Sequence, residues 1–459
     1  MKTKLRQLVP LLFCLLAGGT VSAQNALKFS LEEAKVYALK NSYVVRNSGV
    51  DVLSARKKVW ETIATGLPQI NGSADYTKNI DATKSPMPVA IIPKDYWPFL
   101  GIPDDTPITS NYPLAFAQKY YSNWGVAVSQ TIFDGSYIVG VGSAKIYLQL
   151  AEQAKEKTEI EINYAVEQAY YLTLIATENL AVMKENLTNS RKLETETKAM
   201  YTQGFVEEQD ADQMRLLVQR AENEVLKAER EIRVAGTVLK YTMGVDMELT
   251  VELTDQLDDF LQPILAEDEH VPGFDHSIHI DYRMLDTQRE ASQKLLLLEK
   301  SAYLPKISAF YNWNKSSFGD SANLFKNSVP WFKSSMLGVN ISVPIFSAGE
   351  RMAKVRQAEF AYEKSVNDQK LAVQSLQKDY LTAVADVESA VDQLKNDEDN
   401  KMLAKKILDK TVIKYNNGMV SSTELAQTES QYIQSQGAWV SSVMQLLNYK
   451  INLDKATGK

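Results

Sequence analysis

The chain has very little cysteine and histidine, two residue types on which much protein chemistry depends. Its 459 residues include one cysteine, Cys14, and three histidines. Because Cys14 lies in a segment with the features of an export signal, the mature chain would have no thiol for a disulfide, a nucleophile or a cysteine metal site. His276 and His279 stand in a predicted linker, where solvated side chains are more common than a metal site. The sequence therefore predicts no enzyme, no cofactor and no bound metal.

Basic residues are fewer than acidic residues. There are 50 Lys and Arg residues against 57 Asp and Glu, a net charge of −7. Three basic residues and no acidic ones lie in residues 1–23, so the rest of the chain has 47 basic against 57 acidic residues, a net charge of −10. This charge disfavours a nucleic-acid-binding protein, which needs a basic surface.

Long apolar runs are missing after position 24. Residues 1–23 begin with basic residues, continue with an apolar stretch at 8–16 and end in Val21-Ser22-Ala23, the layout of a signal peptide cleaved before Gln24. That stretch is too short for a membrane anchor, and no later one approaches the roughly 18 apolar residues of a transmembrane helix. The sequence predicts an exported protein that is periplasmic, secreted, or held in an outer membrane by strands.

Proline and glycine are nearly absent from two long stretches. Residues 137–200 contain no proline and two glycines, and residues 351–415 contain neither. At about 1.5 Å per residue, each stretch predicts a helix of roughly 95 Å. Apolar residues in the second stretch step by three or four, as in a coiled coil: Val373, Leu376, Tyr380, Val384, Val387, Val391 and Leu394. After Gly204 and Gly418, antiparallel partner helices are expected at about 207–243 and 422–455.

The sequence is duplicated. Leu67-Pro68-Gln69-Ile70 recurs as Leu304-Pro305-Lys306-Ile307, residues 124–133 recur as 337–346, and residues 201–206 recur as 415–420. We therefore expect a signal peptide at 1–23, a first structural repeat at 24–262, a linker at 263–280 and a second repeat at 281–459. Each repeat is predicted to run helix, strand, loop, strand, long helix, tight turn, long helix, with first helices at about 31–66 and 281–303.

An insertion distinguishes the first repeat from the second. The insertion lies in residues 79–118, which contain seven of the fourteen prolines. Proline at this density predicts a long surface loop without helix or central strand.

Four segments, near 69–79, 119–133, 306–316 and 335–346, alternate between apolar and small polar residues. In the fourth, for example, Leu337, Val339, Ile341 and Val343 alternate with Gly338, Asn340 and Ser342. At about ten residues each they fit transmembrane barrel strands, although a soluble sheet with one wet face would show the same alternation. Since single-chain barrels have at least about eight strands and open edges are not tolerated in lipid, a barrel would need several copies of the chain.

Together these features resemble the TolC-type outer membrane factor family across essentially the whole mature chain. The resemblance rests on the duplicated layout, the Leu-Pro-x-Ile strand entries, the segments 126–135 and 339–349, and the paired turns at Gly204 and Gly418. It implies a mainly α fold with a membrane β-barrel, in which a homotrimer forms a 12-stranded β-barrel plus an α-helical periplasmic tunnel. It also implies a location in the outer membrane of a Gram-negative bacterium.

The resemblance further implies a passive exit duct of a tripartite efflux pump or type I secretion system. The implied partners are a periplasmic adaptor, an inner-membrane RND or ABC pump and outer membrane lipid. The adaptor would dock at the turns, on Gly204, Phe205, Val206, Gly418, Met419 and Val420. The residues of each turn are equally well explained by a simple helix–helix turn with a hydrophobic contact, which needs no partner.

A periplasmic gate is also implied by the resemblance. It would pair Tyr415 with Asp210 and form a constriction at Glu424 and Gln427. In the family prototype, an arginine occupies the position of Val420 and a second acidic residue occupies the position of Gln427. The resemblance therefore implies fewer groups that hold the gate closed and fewer negative charges at the constriction in this chain. Taken without the resemblance, Glu424 is simply an acid in the first turn of a helix.

One alternative from a different class stays open, a periplasmic coiled-coil scaffold or adaptor without a membrane barrel. An adaptor would have a single hairpin flanked by other segments and would not be duplicated. A scaffold would stay soluble without detergent, which a membrane barrel would not.

Overall fold

A computed structural model describes residues 27–81, 84–115, 118–266, 273–326 and 328–458. The predicted signal peptide and part of the predicted linker lie outside the described residues. The α-helices are Leu31–Asn41 (α1), Tyr43–Ala64 (α2), Trp97–Leu100 (α3), Gly135–Thr202 (α4), Glu208–Met243 (α5), Leu257–Ala266 (α6), Ile280–Ser301 (α7), Glu350–Asn416 (α8) and Ser422–Thr457 (α9). The strands are Leu27–Phe29 (β1), Gln69–Lys78 (β2), Lys84–Pro88 (β3), Asn111–Ala115 (β4), Tyr120–Asp134 (β5), Val251–Leu253 (β6), Lys306–Gly319 (β7) and Phe332–Ser342 (β8).

The chain forms two compact units, and neither coincides with one sequence repeat. The first includes the described residues up to Gly49, Lys155–Ile280 and Gln374–Lys459. The second includes Val50–Ala154 and Asp281–Val373. Each unit draws on both halves of the sequence because elements of the two repeats pack together, as β5 does with β7 and α5 with α9. Within the described ranges, none of the helices combines the length and apolar character needed to cross a membrane.

The second unit contains an antiparallel sheet in the order β2-β5-β7-β8. Its register aligns apolar residues in rows across one face; one row is Ile70, Val128, Tyr311 and Leu337. A row on the opposite face is Ser73, Gly125, Asn314 and Ser334. The alternation in the sequence thus gives the sheet one apolar and one polar face. The apolar face leaves large side chains exposed on the outer strands, among them Ile70, Leu337, Val339 and Ile341.

The fourth strand ends earlier than predicted. β8 ends at Ser342, whereas the sequence predicted pairing to 346. Pro344 lacks an N–H to donate to a neighbour, and β8 is an edge strand of the sheet. The corresponding end of β5 pairs with β7 through a bulge between Thr131 and Phe133, because β5 lies inside the sheet.

The prediction of a long surface loop without helix in the insertion is wrong, because the insertion folds into a small lobe with a short helix. β3 and β4 form an antiparallel ribbon, and α3 follows Tyr96 with Pro98 in its first turn. Pro86 and Pro113 lie opposite each other in this ribbon, where each strand needs only one hydrogen-bonding edge. A small core closes the lobe, formed by Val89, Ile92, Trp97, Ile102 and Leu114. Proline excludes a long helix or a central strand, but it does not exclude this fold.

The single first helix predicted at 31–66 is interrupted. α1 has the predicted capping box between Ser30 and Glu33 but ends at Asn41, and Ser42 has an extended ψ of 128° before α2 begins. At this point Gly244 packs on the break, since a Cβ at Gly244 would lie 2.7 Å from the Asn41 carbonyl oxygen. Gly244 has a φ of +74°, which glycine adopts without strain. The break is a tertiary feature that α1 and α2 do not signal by themselves.

The first unit contains elements that the sequence did not predict. β1 pairs in parallel with β6, and α6 extends to Ala266, into the predicted linker. The buried Tyr170 hydroxyl lies 3.0 Å from both the Phe29 carbonyl oxygen and Asp255 Oδ2. These short elements are positioned by long-range contacts, which local sequence patterns do not encode.

Candidate functional site

The two hairpin turns have the same backbone structure. After α4, the N–H of Phe205 donates to the Met200 carbonyl at 2.9 Å and the N–H of Gly204 to the Tyr201 carbonyl at 2.9 Å. After α8, Met419 donates to Lys414 and Gly418 to Tyr415, also at 2.9 Å. Both glycines have positive φ, 79° and 71°. This is the Schellman motif, in which the helix ends on a left-handed glycine.

The residue after each glycine projects a large apolar side chain into solvent. Phe205 is 76% exposed and Met419 is 73% exposed. Val206 and Val420 are half-buried, and Val420 packs on the cluster beneath the turns. Phe205 and Met419 therefore do not supply the packing contact that usually accompanies this motif, which leaves them available for a partner.

Beyond each turn the next helix begins with a side-chain cap. Asp210 Oδ2 accepts the Glu207 N–H at 3.3 Å, and the Ser421 hydroxyl accepts the Glu424 N–H at 3.2 Å. Glu424 and Gln427 are both exposed and lie three residues apart on α9, so their side chains share one helix face. Asp210 is partly buried by comparison.

Tyr415 forms a hydrogen bond that the sequence did not predict. Its side chain is 5% exposed, and its hydroxyl lies 3.1 Å from the hydroxyl of the buried Thr197 on α4. Burial raises the pKa of Tyr415, and the nearby negative charge of Asp210 raises it further. Within the described residues of one chain, Tyr415 thus pairs with Thr197, and Asp210 acts on it only through its charge.

A polar layer lies next to this cluster, and the sequence reading missed it. Glu429 on α9 is 6% exposed, and its Oε1 lies 2.8 Å from the Ser190 hydroxyl. The side chains of Asn186 and Gln436 continue the layer with a 3.1 Å hydrogen bond. Glu429 also lines a cavity of about 360 Å³ between α4, α8 and α9. A detectable signal existed, since Asn186, Ser190 and Thr197 recur at helical spacing on a face that should be apolar.

One carboxylate oxygen in this layer is unsatisfied. Among the described residues, Glu429 Oε2 is buried and has no hydrogen-bond partner. The other titratable groups that line the cavity are Lys192 and Glu196 from α4, Lys405 and Asp409 from α8, and Tyr432 from α9. Burial raises the pKa of Glu429, and the hydrogen bond with Ser190 lowers it by less.

One histidine of the predicted linker is buried. His279 is buried, and its Nε2 lies 3.1 Å from the Lys455 carbonyl oxygen, so it is not the solvated side chain that we expected. In the described part of the chain, no group of three or more His, Cys, Asp and Glu residues is arranged to hold a metal ion.

Comparison with known proteins agrees with this architecture. The outer membrane efflux protein family profile matches residues 36–245 and 281–459. The probable outer membrane lipoprotein SilC of Salmonella typhimurium is 22% identical over 424 residues, which cover 92% of this chain and 84% of SilC. The outer membrane protein TolC of Vibrio cholerae serotype O1 is 21% identical over 62% of this chain and 65% of TolC.

Solved structures share the fold. The structure of CusC, for which transmembrane channel formation is described, superposes with a TM-score of 0.71 at 19% identity and covers 94% of this chain and 92% of CusC. At this identity the likeness concerns the fold alone. The family profile matches most of the sequence, including both long hairpins and all four strands of the large sheet. The chain therefore belongs to the outer membrane efflux protein family, whose members are TolC-type channels, and its location is the outer membrane of a Gram-negative bacterium.

Proposed function

We propose that three copies of this chain form an exit duct through the outer membrane. The observation that carries the proposal is the sheet β2-β5-β7-β8, which has an apolar face, a polar face and two edges without strand partners among the described residues. Because unpaired strand edges are not tolerated in hydrocarbon, β2 of one copy would pair with β8 of the next. Three copies supply the twelve strands that the family resemblance implies.

The two faces of the sheet support this assignment. The apolar face would contact lipid, and it includes the ring pair Trp124 and Trp313, whose centroids lie 5.0 Å apart. Such aromatic residues are typical of the interfacial girdles of membrane barrels. The polar face would line a water-filled lumen with the side chains of Asn71, Ser73, Asn123 and Asn314, through which hydrated solutes can pass.

The long hairpins would continue the duct into the periplasm. We place the docking site of a periplasmic adaptor at the turns, on Gly204, Phe205, Val206, Gly418, Met419 and Val420. The exposed Phe205 and Met419 support this because apolar anchors concentrate binding energy at interfaces. The adaptor would couple the duct to an inner-membrane RND or ABC pump, in a tripartite efflux pump or a type I secretion system, and that pump would supply the energy.

The gate would lie just above the turns. Tyr415 and Thr197 join the two hairpins of one chain, and Asp210 lies close enough to act on Tyr415 electrostatically. We assign Tyr415 and Asp210 to the resting closure and the exposed pair Glu424 and Gln427 to the constriction. Three copies of Glu424 around a narrow pore would favour cations.

Assembly is the most direct test. The mature protein, extracted from outer membranes in mild detergent, is expected to have the mass of a trimer by light scattering and to insert channels into planar bilayers. Glu424→Gln should lower the cation preference of these channels without changing the trimer mass. A monodisperse monomer, or a protein that stays soluble without detergent, would contradict the proposal.

A further inference from the structure

The apolar face of the large sheet has lysines at one end. Lys78 ends β2, Lys315 lies on β7 and Lys333 lies near the start of β8. Each is an even number of residues away from the apolar row on its own strand, and alternate residues of a strand share a face. The acidic residues of these four strands, Asp75 and Asp134, lie on the opposite face. The apolar face therefore has a basic end and no acidic residue on its strands.

Two of these lysines are direct neighbours across the β7–β8 ladder. Lys315 and Lys333 are register partners, which places their Cβ atoms about 4.5–5.5 Å apart, and like charges in that position are destabilising. Lys315 Nζ lies 5.6 Å from the ring centroid of Trp124, its register partner on β5. Among the described residues, neither lysine forms an ion pair with a carboxylate. An anion held between the two ammonium groups would remove their repulsion.

The lysine pair lies at the height of a lipid headgroup. From Lys333 to the end of β8 at Ser342 there are nine residues, or about 31 Å along the strand. At the tilt of barrel strands this is about 24 Å along the membrane normal, close to the roughly 25 Å height of the apolar band of membrane barrels. Trp124 lies in the row of the lysine pair and Trp313 in the next row below it. The lysines therefore stand just beyond an apolar band, beside its aromatic girdle.

The orientation of the strands identifies the leaflet. β2 follows α2, and β5 and β8 lead into α4 and α8, so the lysine end of the sheet is the end away from these helices. In the proposed duct the long hairpins extend into the periplasm. The lysine end then lies in the outer leaflet of the outer membrane.

We propose that Lys315 and Lys333 bind a phosphate group of an outer-leaflet lipid, whose acyl chains lie on the apolar face below. Phosphate oxygens accept charge-assisted hydrogen bonds from lysine ammonium groups. Leu337 and Val339, on the same face of β8, are 78% and 65% exposed and would contact the acyl chains. A free phosphate would neutralise the lysines but leave this apolar surface uncovered, so the occupant is a phosphorylated lipid. This inference rests on the proposed duct.

Lipid binding by the detergent-extracted trimer tests the site. Purified lipopolysaccharide, a phosphorylated outer-leaflet lipid, is the probe, and native mass spectrometry measures the bound fraction. Lys315→Gln with Lys333→Gln should weaken binding about 30-fold, because each lysine near a membrane surface contributes roughly a factor of five. Lys364→Gln, at an exposed lysine of α8, is the matched control and should bind like the parent. Lys315→Arg with Lys333→Arg keeps both charges and should retain binding.

A second comparison uses only the parent protein, so it does not depend on the folding of a variant. Lipopolysaccharide should raise the temperature at which the trimer dissociates by several degrees. The same lipid with its phosphates removed, and inorganic phosphate alone, should each raise that temperature by clearly less.

The outcomes separate the lipid site from the duct. If the double glutamine variant binds lipopolysaccharide like the parent, or if removal of the phosphates changes nothing, the lysines only extend into water at the membrane surface. Equal stabilisation by inorganic phosphate would show an anion site that does not recognise a lipid. In each of these cases the lipid site is wrong and the duct stands. If the parent sequence forms no trimer, both proposals are wrong.

Discussion

Glu429→Gln should stabilise the packing between α4 and α9, and only above acidic pH. The reasoning begins with the Ser190 hydroxyl, which lies 2.9 Å from the Asn186 carbonyl oxygen and 2.8 Å from Glu429 Oε1. A hydroxyl has one proton, and the carbonyl can only accept. With Glu429 ionised, this one proton is shared between two acceptors, whereas a protonated Glu429 could itself donate to Ser190. Burial raises the pKa of Glu429 and donation from Ser190 to the carboxylate lowers it by less, so the net effect favours the neutral carboxyl.

The sign of the pH dependence follows from that raised pKa. Between the ordinary pKa of a glutamate and the higher pKa in the folded state, the folded chain holds a proton that the unfolded chain has lost. Stability must then fall as the pH rises through this interval, and the whole penalty is present above the folded-state pKa. Glutamine stays neutral at every pH, and its amide can make the same donation to Ser190.

The magnitude follows from the carboxyl's partners. Among the described residues, Glu429 Oε2 is buried and has no partner, and leaving a buried group unsatisfied costs more when it is charged than when it is neutral. In Glu429→Gln the amide oxygen takes the place of Oε2 without the charge, so the gain is the charged group's excess cost, on the order of 1 kcal/mol. A gain of this size would slow local hydrogen exchange about 5-fold. It should appear in peptides from residues 183–197 and 425–440, near neutral pH, when Glu429→Gln is compared with the parent protein.

A control substitution is available on the same helix, α4. Glu178→Gln removes an exposed carboxylate on α4 and should leave exchange in these peptides unchanged. Near pH 4, where an ordinary glutamate is largely protonated, Glu429→Gln and the parent should match. If Glu429→Gln exchanges faster near neutral pH, or if its advantage is the same near pH 4, the carboxyl is not held neutral by its surroundings.

The remaining predictions concern the duct. Phe205→Asp with Met419→Asp should abolish export in a cell-based assay while trimer yield and membrane insertion stay normal, and normal export would exclude docking at these residues. Tyr415→Phe with Asp210→Ala should raise single-channel conductance, because it removes the hydroxyl and the charge that act at the hairpin junction; a hydrogen bond there contributes roughly 0.5–1.5 kcal/mol per copy. Parent-like conductance would place the gate elsewhere. Leu337→Arg, on the apolar face, should cost about 2–4 kcal/mol near the bilayer midplane and reduce folded trimer in membranes, and an unchanged yield would mean that this face does not meet lipid.

The sequence determined the long elements because each is specified by local chemistry. α4 and α8 lie where proline and glycine are missing, and their ends fall within two residues of the predicted positions. Both turns form at the expected glycines, since a left-handed residue there costs glycine little. The strand faces followed from the period of two, which places alternate residues on opposite sides of a sheet.

The assignment of single side chains depended on tertiary structure. Gln427 and Glu424 could be placed on one helix face by their spacing, but the partner of Tyr415 could not, because Thr197 lies 218 residues away in sequence. The acidic Glu429 looked like any surface glutamate until the packing of α4 on α9 buried it. Sequence spacing fixes which residues share a face, while burial depends on which helix covers that face.

The insertion likewise combines a feature that the sequence determined with features that depend on tertiary structure. Its prolines correctly excluded long regular elements, yet the lobe folds because Trp97 and a few apolar residues far apart in the segment meet in a common core. Likewise the break at Ser42 lies against Gly244, which is far away in the sequence. Local sequence patterns set the backbone preferences of each segment. Cores, helix breaks and buried polar groups arise only where distant segments come into contact. Which segments meet is decided by the folded chain as a whole.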